Sequence, residues 1–438
     1  MNLDWVRGFW EALSPYAYAR EEDQVVILPP NLVYKTNATG VGLIKYLESG
    51  GRFEDLPGFT EERAAQTAEF FLSLKRAYEG APMALERVPY DFSFTRLPVL
   101  GEIALTYRCN NACRFCYAGC NDGAGSGACA APAGLSGDEL DTAGFKRVID
   151  IFKREAKIPF FSFTGGEPLI RDDVEELAAY AVSLGLRVNL VTNGTLASPE
   201  RARSLFASGI HTAQVSLEAP DAELHDRLTG ASGAFGRTVA GIAALRSAGL
   251  SVQTNSTLTR ANRDALPGLP AFVAGLGVRR MSMNLFIPSG SGTNARDLYF
   301  PYAETGAFVD EARRRAKLAG VDFFWYSPTP LCLYNPISRG LGNKSCAACD
   351  GLVSVSPSGD LLPCSSWPEP VGNLLRDGFG PVWFSGKAAY YKEKKYAPEA
   401  CVSCSKFTAC QAACPLYWKQ VGCAEIEGRA TTAPKDEE

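Results

Sequence analysis

The sequence predicts an α/β protein: a parallel sheet with helices outside it, a small α+β module in front and a cysteine-rich domain behind. Three observations predict this. From residue 102 onward, strand-like apolar runs alternate with helical patterns. The 14 cysteines fall in two groups, residues 109–129 and 332–423, which is not how small core residues scatter. The first hundred residues have no cysteine and carry strand and helix signals of their own.

Taken in order, 25–28 and 32–34 read as short strands joined through Pro29-Pro30-Asn31. A helix fits 39–48 with Asn37 near its start, Gly50-Gly51 breaks the chain, and a second helix with an acidic first turn at Glu61 and Glu62 fits 60–78. This makes a module of 1–85, followed by a proline-bearing linker at 86–100. Candidate strands then lie at 102–107, 160–164, 187–192, 212–217, 251–258 and 281–287. Phe145, Val148, Ile149 and Phe152 stand at helical spacing between them, as do Val174, Leu177, Ala178 and Ala181. The sheet unit is set at 101–300, a bridging region at 301–345, the cysteine-rich domain at 346–428 and a polar, disordered tail at 429–438.

Hydrophobic content of 46% and charged content of 21% are those of a folded soluble chain, and a net charge of -4 gives no case for nucleic acid as a partner. The N-terminus lacks a signal peptide and no apolar run is long enough to span a bilayer, so a cytoplasmic protein with no membrane partner is expected. Disulfides would be reduced there, so the clustered cysteines point to metal.

Cys109, Cys113 and Cys116 stand at C-x3-C-x2-C spacing just after the first candidate strand. Thiolates of one short loop can reach three irons of a [4Fe-4S] cube, leaving the fourth open to a ligand that is not protein. A zinc loop is the competing reading. The loop resembles the signature of the radical SAM enzymes. The resemblance implies a partial, six-stranded TIM-like (β/α)6 barrel whose open iron binds S-adenosylmethionine. Reductive cleavage then yields methionine and a 5′-deoxyadenosyl radical that takes hydrogen from the substrate. Cys109, Cys113 and Cys116 are implied as the catalytic cluster ligands, with Phe115 against the adenine and Tyr117 beside it.

Ligands of such folds sit at the carboxyl ends of the strands, and each later strand end carries a candidate. Gly165, Gly166, Glu167 and Pro168 follow the second, the glycines read as admitting backbone close to a ligand and Glu167 as accepting from an ammonium group. Asn193 ends the third; Ser216 and Glu218 end the fourth and suit ribose hydroxyls; Asn255 lies on the fifth; Ile287 ends the sixth.

In the second group, Cys349 and Cys364 flank a strand–turn–strand pattern, and Cys401, Cys404, Cys410, Cys414 and Cys423 follow. This resembles the seven-cysteine SPASM extension. Cys346 adds an eighth thiolate, enough for two fully ligated cubes. The resemblance implies one auxiliary cluster on Cys346, Cys349, Cys364 and Cys414 and another on Cys401, Cys404, Cys410 and Cys423, making three [4Fe-4S] clusters in all. Cys332 is spare, a substitute for Cys346 under a different fold of the loop. Cys120 and Cys129 read as free thiols of a Gly/Ala-rich lid or surface loop, 119–134, with a ligand or redox role as the alternative.

Residues 28–40 resemble the PqqD-like peptide-recognition fold, a winged-helix-like α+β module that binds a leader peptide as an added strand; a plain cap on the barrel is the alternative. Together these imply a SPASM maturase that crosslinks or oxidises a ribosomally made precursor peptide, with flavodoxin or ferredoxin as electron donor. A tetrapyrrole or other small-molecule cofactor precursor is the alternative substrate. Ser365 stands where sulfatase-maturing members carry an aspartate base, which sets that activity aside. Readings of another class are a non-catalytic iron–sulfur electron carrier and a zinc-stabilised peptide-binding adaptor.

Overall fold

The computed structural model describes residues 3–28, 32–79, 94–120, 138–427 and 429. The expected linker at 86–93, the lid loop beyond Cys120 with Cys129, and nearly all of the tail lie outside the described residues.

The N-terminal module is an antiparallel sheet of β1 (Tyr18–Arg20), β2 (Val25–Leu28) and β3 (Leu32–Lys35), in that order, with helices α1 (Asp4–Leu13), α2 (Ala38–Glu48) and α3 (Glu61–Glu79). The Asn37 side chain caps α2 by accepting from Gly40 N at 2.8 Å. Trp10, Ile44, Phe53 and Phe71 fill the module's own core. Strand β3 is an outer strand and its residues are exposed or half-buried, whereas β2 is buried throughout.

A ten-stranded sheet forms the rest. In chain order its strands are β4 (Leu100–Thr106), β5 (Phe160–Gly165), β6 (Arg187–Thr192), β7 (Thr212–Ser216), β8 (Ser251–Leu258), β9 (Arg280–Leu285), β10 (Asp322–Trp325), β11 (Leu352–Val355), β12 (Asp360–Leu362) and β13 (Gly372–Asn373). Crossover helices α4 (Thr142–Arg154), α5 (Val174–Ser183), α6 (Pro199–Ala207), α7 (Ala222–Thr229), α8 (Ala234–Ser247), α9 (Leu269–Gly275) and α10 (Tyr302–Leu318) lie between strands.

The parallel array does not stop at six strands. β10, inside the expected bridging region, pairs parallel with β9, and β11, inside the cysteine-rich region, pairs parallel with β4. β12 and β13 then add antiparallel, so the strand–turn–strand of the cysteine-rich region continues the barrel sheet.

Burial alternates along the strands as a one-sided core requires. Ile103, Phe161, Phe163, Val188, Leu190 and Val215 are buried against the helices; Glu102, Ser162, Asn189, Gln214 and Gln253 point the other way and stay half-accessible. Gly101 shows the direction, since a Cβ there would strike Phe152 of α4 at 2.5 Å. The inner face is therefore concave and polar.

The module docks at the amino ends of β4 and β5. Val25 and Ile27 pack with Val99 and the half-buried Phe160. Arg20 binds both carboxylate oxygens of Asp23 and donates to Pro98 O and Leu97 O, while Asp23 accepts from the Arg96 and Leu97 amides. No helix of the described residues is long and apolar enough to cross a membrane.

Candidate active site

The cysteine loop leaves the carboxyl end of β4, the end opposite the docked module. Its backbone is fastened on three sides. Ala112 N and Arg114 N donate to Thr229 O and Leu228 O at the end of α7, at 2.9 and 3.1 Å. Ser291 N donates to Cys116 O at 2.9 Å. The Tyr117 hydroxyl donates to Gly165 O at 3.1 Å. Arg114 adds an ion pair in which Nη2 donates to both carboxylate oxygens of Asp297, each at 2.9 Å.

Within this frame Cys109, Cys113 and Cys116 are half-buried, close enough for the charges of Cys109 and Cys116 to act on Cys113. Burial, then the charges of Cys116 and Cys109, pushes the Cys113 thiol up. The Cys116 thiol is instead lowered to about 7, first by a hydrogen bond from Cys120. Cys120 is thus no open loop thiol: it is buried and donates to Tyr107 O at 2.9 Å.

The strand ends converge around the loop. Glu167 is wholly buried, and its carboxylate accepts from Leu169 N at 3.1 Å, Thr192 Oγ1 at 2.7 Å and Asn193 N at 2.7 Å. Burial raises its pKa and these three donors pull it back. Asn193 in turn donates to Asn110 Oδ1 at 2.8 Å and points the same amide at Cys109 Sγ, 3.9 Å away. Glu167 therefore ties β5 to β6 and, through Asn193, to the cluster loop. Pro168 is buried at the start of the short 3-10 turn Pro168–Ile170.

The glycines before it admit chain rather than ligand. A Cβ on Gly165 would lie 2.2 Å from Thr106 O, and one on Gly166 2.3 Å from Arg108 O. The close approach expected at these positions is to the cluster loop itself.

Glu218 is 3% exposed with Thr257 N as its donor at 2.8 Å, and burial pushes its carboxyl up to about 8. Its own amide donates to Nδ1 of the buried His225 at 3.2 Å. Asn255 accepts from Ser282 Oγ at 2.8 Å, Ser216 is half-buried at the end of β7, and Ile287 packs on the edge of the main core. Phe115 leans on an apolar cluster of Leu224, Leu228, Phe286 and Leu298.

Sequence reasoning missed Glu139. It accepts from Thr106 Oγ1 and from Tyr107 N at 3.3 Å, and pairs with Arg108 at 3.7 Å, bracing the first residues of the loop. A lone acid before a helix carries no signal of this role.

The remaining thiols divide in space. Burial first, then the charges of Cys346 and Cys414, raises Cys364; Cys346 likewise raises Cys349 and Cys414, each to about 12. Cys401, raised to about 12 by burial, feels Cys410, Cys332, Cys404 and Cys423. Cys332 corrects an expectation: it is exposed and stands with Cys410 and Cys404, whose charges raise it after burial does, so it is no substitute for Cys346. The reason is the path of the chain after β10, which brings Leu331 N to Cys410 Sγ at 3.3 Å.

Among the described residues no three His, Cys, Asp or Glu side chains close around a single metal ion. Thiolates of a cube sit on separate irons and need not. Each set fits a cluster in other respects. Beside Cys346, the ammonium of Lys394, a residue 1% exposed, is held by Cys346 O at 2.7 Å and pairs with Asp350 at 3.5 Å, so a compensated buried cation stands next to this cysteine set. The loop set is half-buried at the carboxyl end of β4, on the sheet whose other face carries the half-accessible polar row Glu102, Ser162 and Asn189.

Comparison with known proteins agrees. The Radical SAM superfamily profile matches residues 103–266, and the SPASM iron–sulfur cluster-binding domain matches 346–405. The AdoMet-dependent heme synthase of Nitratidesulfovibrio vulgaris is 30% identical over 302 residues, 64% of this chain and 77% of that protein. The PqqA peptide cyclase of Xanthomonas euvesicatoria pv. vesicatoria is 29% identical over 325 residues, 70% of this chain and 80% of that one. Streptococcus suis SuiB bound to precursor peptide SuiA superposes with a TM-score of 0.67 over 92% of this chain and 95% of that chain, at 14% identity. Native anSMEcpe with bound AdoMet gives 0.57 over 72% and 89%, at 16% identity. The structural likenesses speak to the fold alone; the matched families and the heme synthase identity favour an enzyme over an electron carrier or a zinc adaptor. A loop of three thiols at the mouth of a parallel α/β barrel, followed by a cysteine-rich extension of the same sheet, thus identifies this chain as a radical SAM enzyme with a C-terminal SPASM domain, using S-adenosylmethionine, a [4Fe-4S] cluster and auxiliary iron–sulfur clusters.

Proposed function

We propose that the enzyme modifies a ribosomally made precursor peptide, forming a crosslink or oxidising a side chain, with its N-terminal module holding the leader. The observation that carries this reading is β3: an outer strand, exposed at Leu32 to 44%, in a sheet pinned to the barrel by Arg20 and Asp23. Such a strand offers unpaired backbone groups to an extended peptide. Lys35 at its end borders a cleft of about 570 Å³ lined also by Arg96, Trp383, Phe384 and Lys392, a path from the module toward the cysteine-rich domain. The likeness to SuiB extends over 92% of the chain, and that structure holds a precursor peptide.

Three [4Fe-4S] clusters are proposed: one on Cys109, Cys113 and Cys116, one on Cys346, Cys349, Cys364 and Cys414, and one on Cys401, Cys404, Cys410 and Cys423. Bound cluster and S-adenosylmethionine together supply hydrogen-atom abstraction. The protein's residues do the rest. Glu167, Asn193 and Glu139 hold the loop in register, Tyr117 closes its far side, and Phe115, Ser216, Glu218 and Asn255 offer the cofactor an apolar face and polar ends. The concave sheet face orients the substrate and excludes water. Flavodoxin or ferredoxin supplies electrons in the cytoplasm, where the thiols stay reduced.

Tetrapyrrole modification is the second reading, favoured by the 30% identity to heme synthases. The test is mass spectrometry after anaerobic incubation with S-adenosylmethionine and dithionite. Loss of hydrogens from a candidate leader-bearing precursor peptide, in step with 5′-deoxyadenosine, supports the peptide reading. Change of a tetrapyrrole substrate with the peptide untouched overturns it.

A further inference from the structure

One group on the concave face is used by nothing described above. Glu102, on β4, stands in register with Ser354 of β11 on one side and Ser162 of β5 on the other, and Ser162 with Asn189 of β6. The row is otherwise made of neutral hydroxyls and an amide. Asn189 donates to Ser162 Oγ at 3.1 Å, so those two satisfy each other. Glu102 is the only ionisable member of the row.

Its surroundings are unusual for a carboxylate. It lies deep in the barrel yet keeps accessible surface, because it faces the concave space rather than packed chain. Its donors are two hydroxyls, Ser354 Oγ at 3.3 Å and Ser365. Among the described residues no lysine, arginine or histidine nitrogen lies within ion-pair distance of it. Burial pushes its carboxyl above the usual range, and the two hydroxyls pull it back. Glu167, also buried, is held by two backbone amides and a hydroxyl, which is full support for an internal carboxylate. Glu102 has only the two hydroxyls and no cation, and a carboxylate largely taken from water without a counter-charge is disfavoured.

Its position is between the two kinds of cysteine site. The charge of Glu102 is felt by Tyr117 in the cluster loop and by Cys364 in the auxiliary set, and Ser365 follows Cys364 directly. A group bound to Glu102 therefore lies in the space between the cluster loop and the auxiliary cysteines, where a substrate must sit to meet both.

We propose that Glu102 is a specificity-determining residue that receives an ammonium or guanidinium group of the substrate at the middle of the concave face. The group supplies the missing counter-charge, and the hydroxyls of Ser354 and Ser365 orient the carboxylate toward it. In a peptide substrate the matching group is a lysine or arginine side chain. The assignment does not depend on the peptide reading, because the site is defined by its charge and not by the rest of the substrate.

The experiment uses the full chain, anaerobically reconstituted and saturated with S-adenosylmethionine. n-Butylammonium and its neutral counterpart n-butanol are titrated by calorimetry into wild type and Glu102→Gln. Wild type is expected to bind the cation at least tenfold more tightly than the alcohol, and Glu102→Gln to lose that preference while alcohol binding stays the same. No preference in wild type, or a preference that survives in Glu102→Gln, overturns the proposal. If Glu102→Gln does not fold, Glu102→Asp replaces it: the carboxylate is drawn back by one methylene, and an unchanged preference overturns the assignment equally.

Discussion

The guanidinium of Arg20 holds both oxygens of Asp23, at 2.8 and 2.7 Å, with the two side chains 0% and 2% exposed. The pair is only three residues apart in sequence, yet four of its remaining bonds go to the strip 96–98 that leads into β4, and one more goes to Lys157 O just before β5. A turn of the small sheet is thereby fixed to the base of the barrel. Breaking such a buried pair from one side leaves an uncompensated charge and costs on the order of 3–5 kcal/mol. Asp23→Ala is expected to lose about that much in urea unfolding and to raise hydrogen exchange in β1 and β2. Deleting residues 1–85 exposes Val99 and Phe160 and is expected to lower the melting temperature of what remains; an unchanged melting temperature would show that this contact does not stabilise the barrel.

Glu167→Ala removes the acceptor for Leu169 N, Thr192 Oγ1 and Asn193 N at once. Each buried donor left unpaired costs about 1–3 kcal/mol. The expected result is a clear drop in melting temperature together with at least tenfold weaker S-adenosylmethionine binding in calorimetry. A variant as stable as wild type with unchanged affinity would remove Glu167 from both roles.

A variant with Cys109, Cys113 and Cys116 all changed to alanine is expected to keep about two-thirds of its iron after reconstitution, since the other two sets have eight thiolates of their own. Cys332→Ser is expected to keep all of it and Cys423→Ser to lose about one-third. Iron analysis reads each result directly, and equal iron in the last two variants would exchange or merge the roles of Cys332 and Cys423.

His225 is buried behind Glu218, with Nδ1 accepting from the Glu218 amide and Nε2 without a partner among the described residues. Burial lowers its pKa from 6.5 to about 4, against the opposing charges of Asp226 and Asp221. Between those values the unfolded chain takes a proton that the folded chain refuses. The stabilising contribution is therefore whole above pH 6.5 and is lost as pH falls toward 4, up to about 3 kcal/mol. His225→Asn keeps an acceptor near Nδ1 and is expected to lose less stability than wild type between pH 7.5 and pH 5.5. Parallel losses in denaturant titrations at the two values would assign the acid sensitivity elsewhere.

Much of this could be read from residue order. Strands β4 to β9 were legible because each is a strand-like run of five to eight residues and helical patterns lie between them. α1 and β1 were not, since a ten-residue helix and a three-residue strand leave too short a pattern. β11 was legible as a strand, but its pairing with β4 was not, because register between distant segments is decided by packing and not by local sequence. The same limit hid Glu139 and Glu102: their chemistry is ordinary, and only the register of β4 with its neighbours gives them a place. The cysteine spacings were the strongest signal, whereas the surplus thiols Cys120 and Cys332 could be placed only by the path of the chain.

The join between β4 and β11 also sets an order of events during synthesis. Glu102 and Ser354, neighbours in the finished sheet, are 252 residues apart. While the ribosome makes the residues between them, β4 has β5 on one side and an unprotected edge on the other, directly below the loop of three thiols. Open edges of this kind invite pairing with other chains, and distant pairings form late. The nascent barrel thus waits for its last quarter, and a protein cut short before residue 352 is expected to be an aggregation hazard rather than a smaller working enzyme.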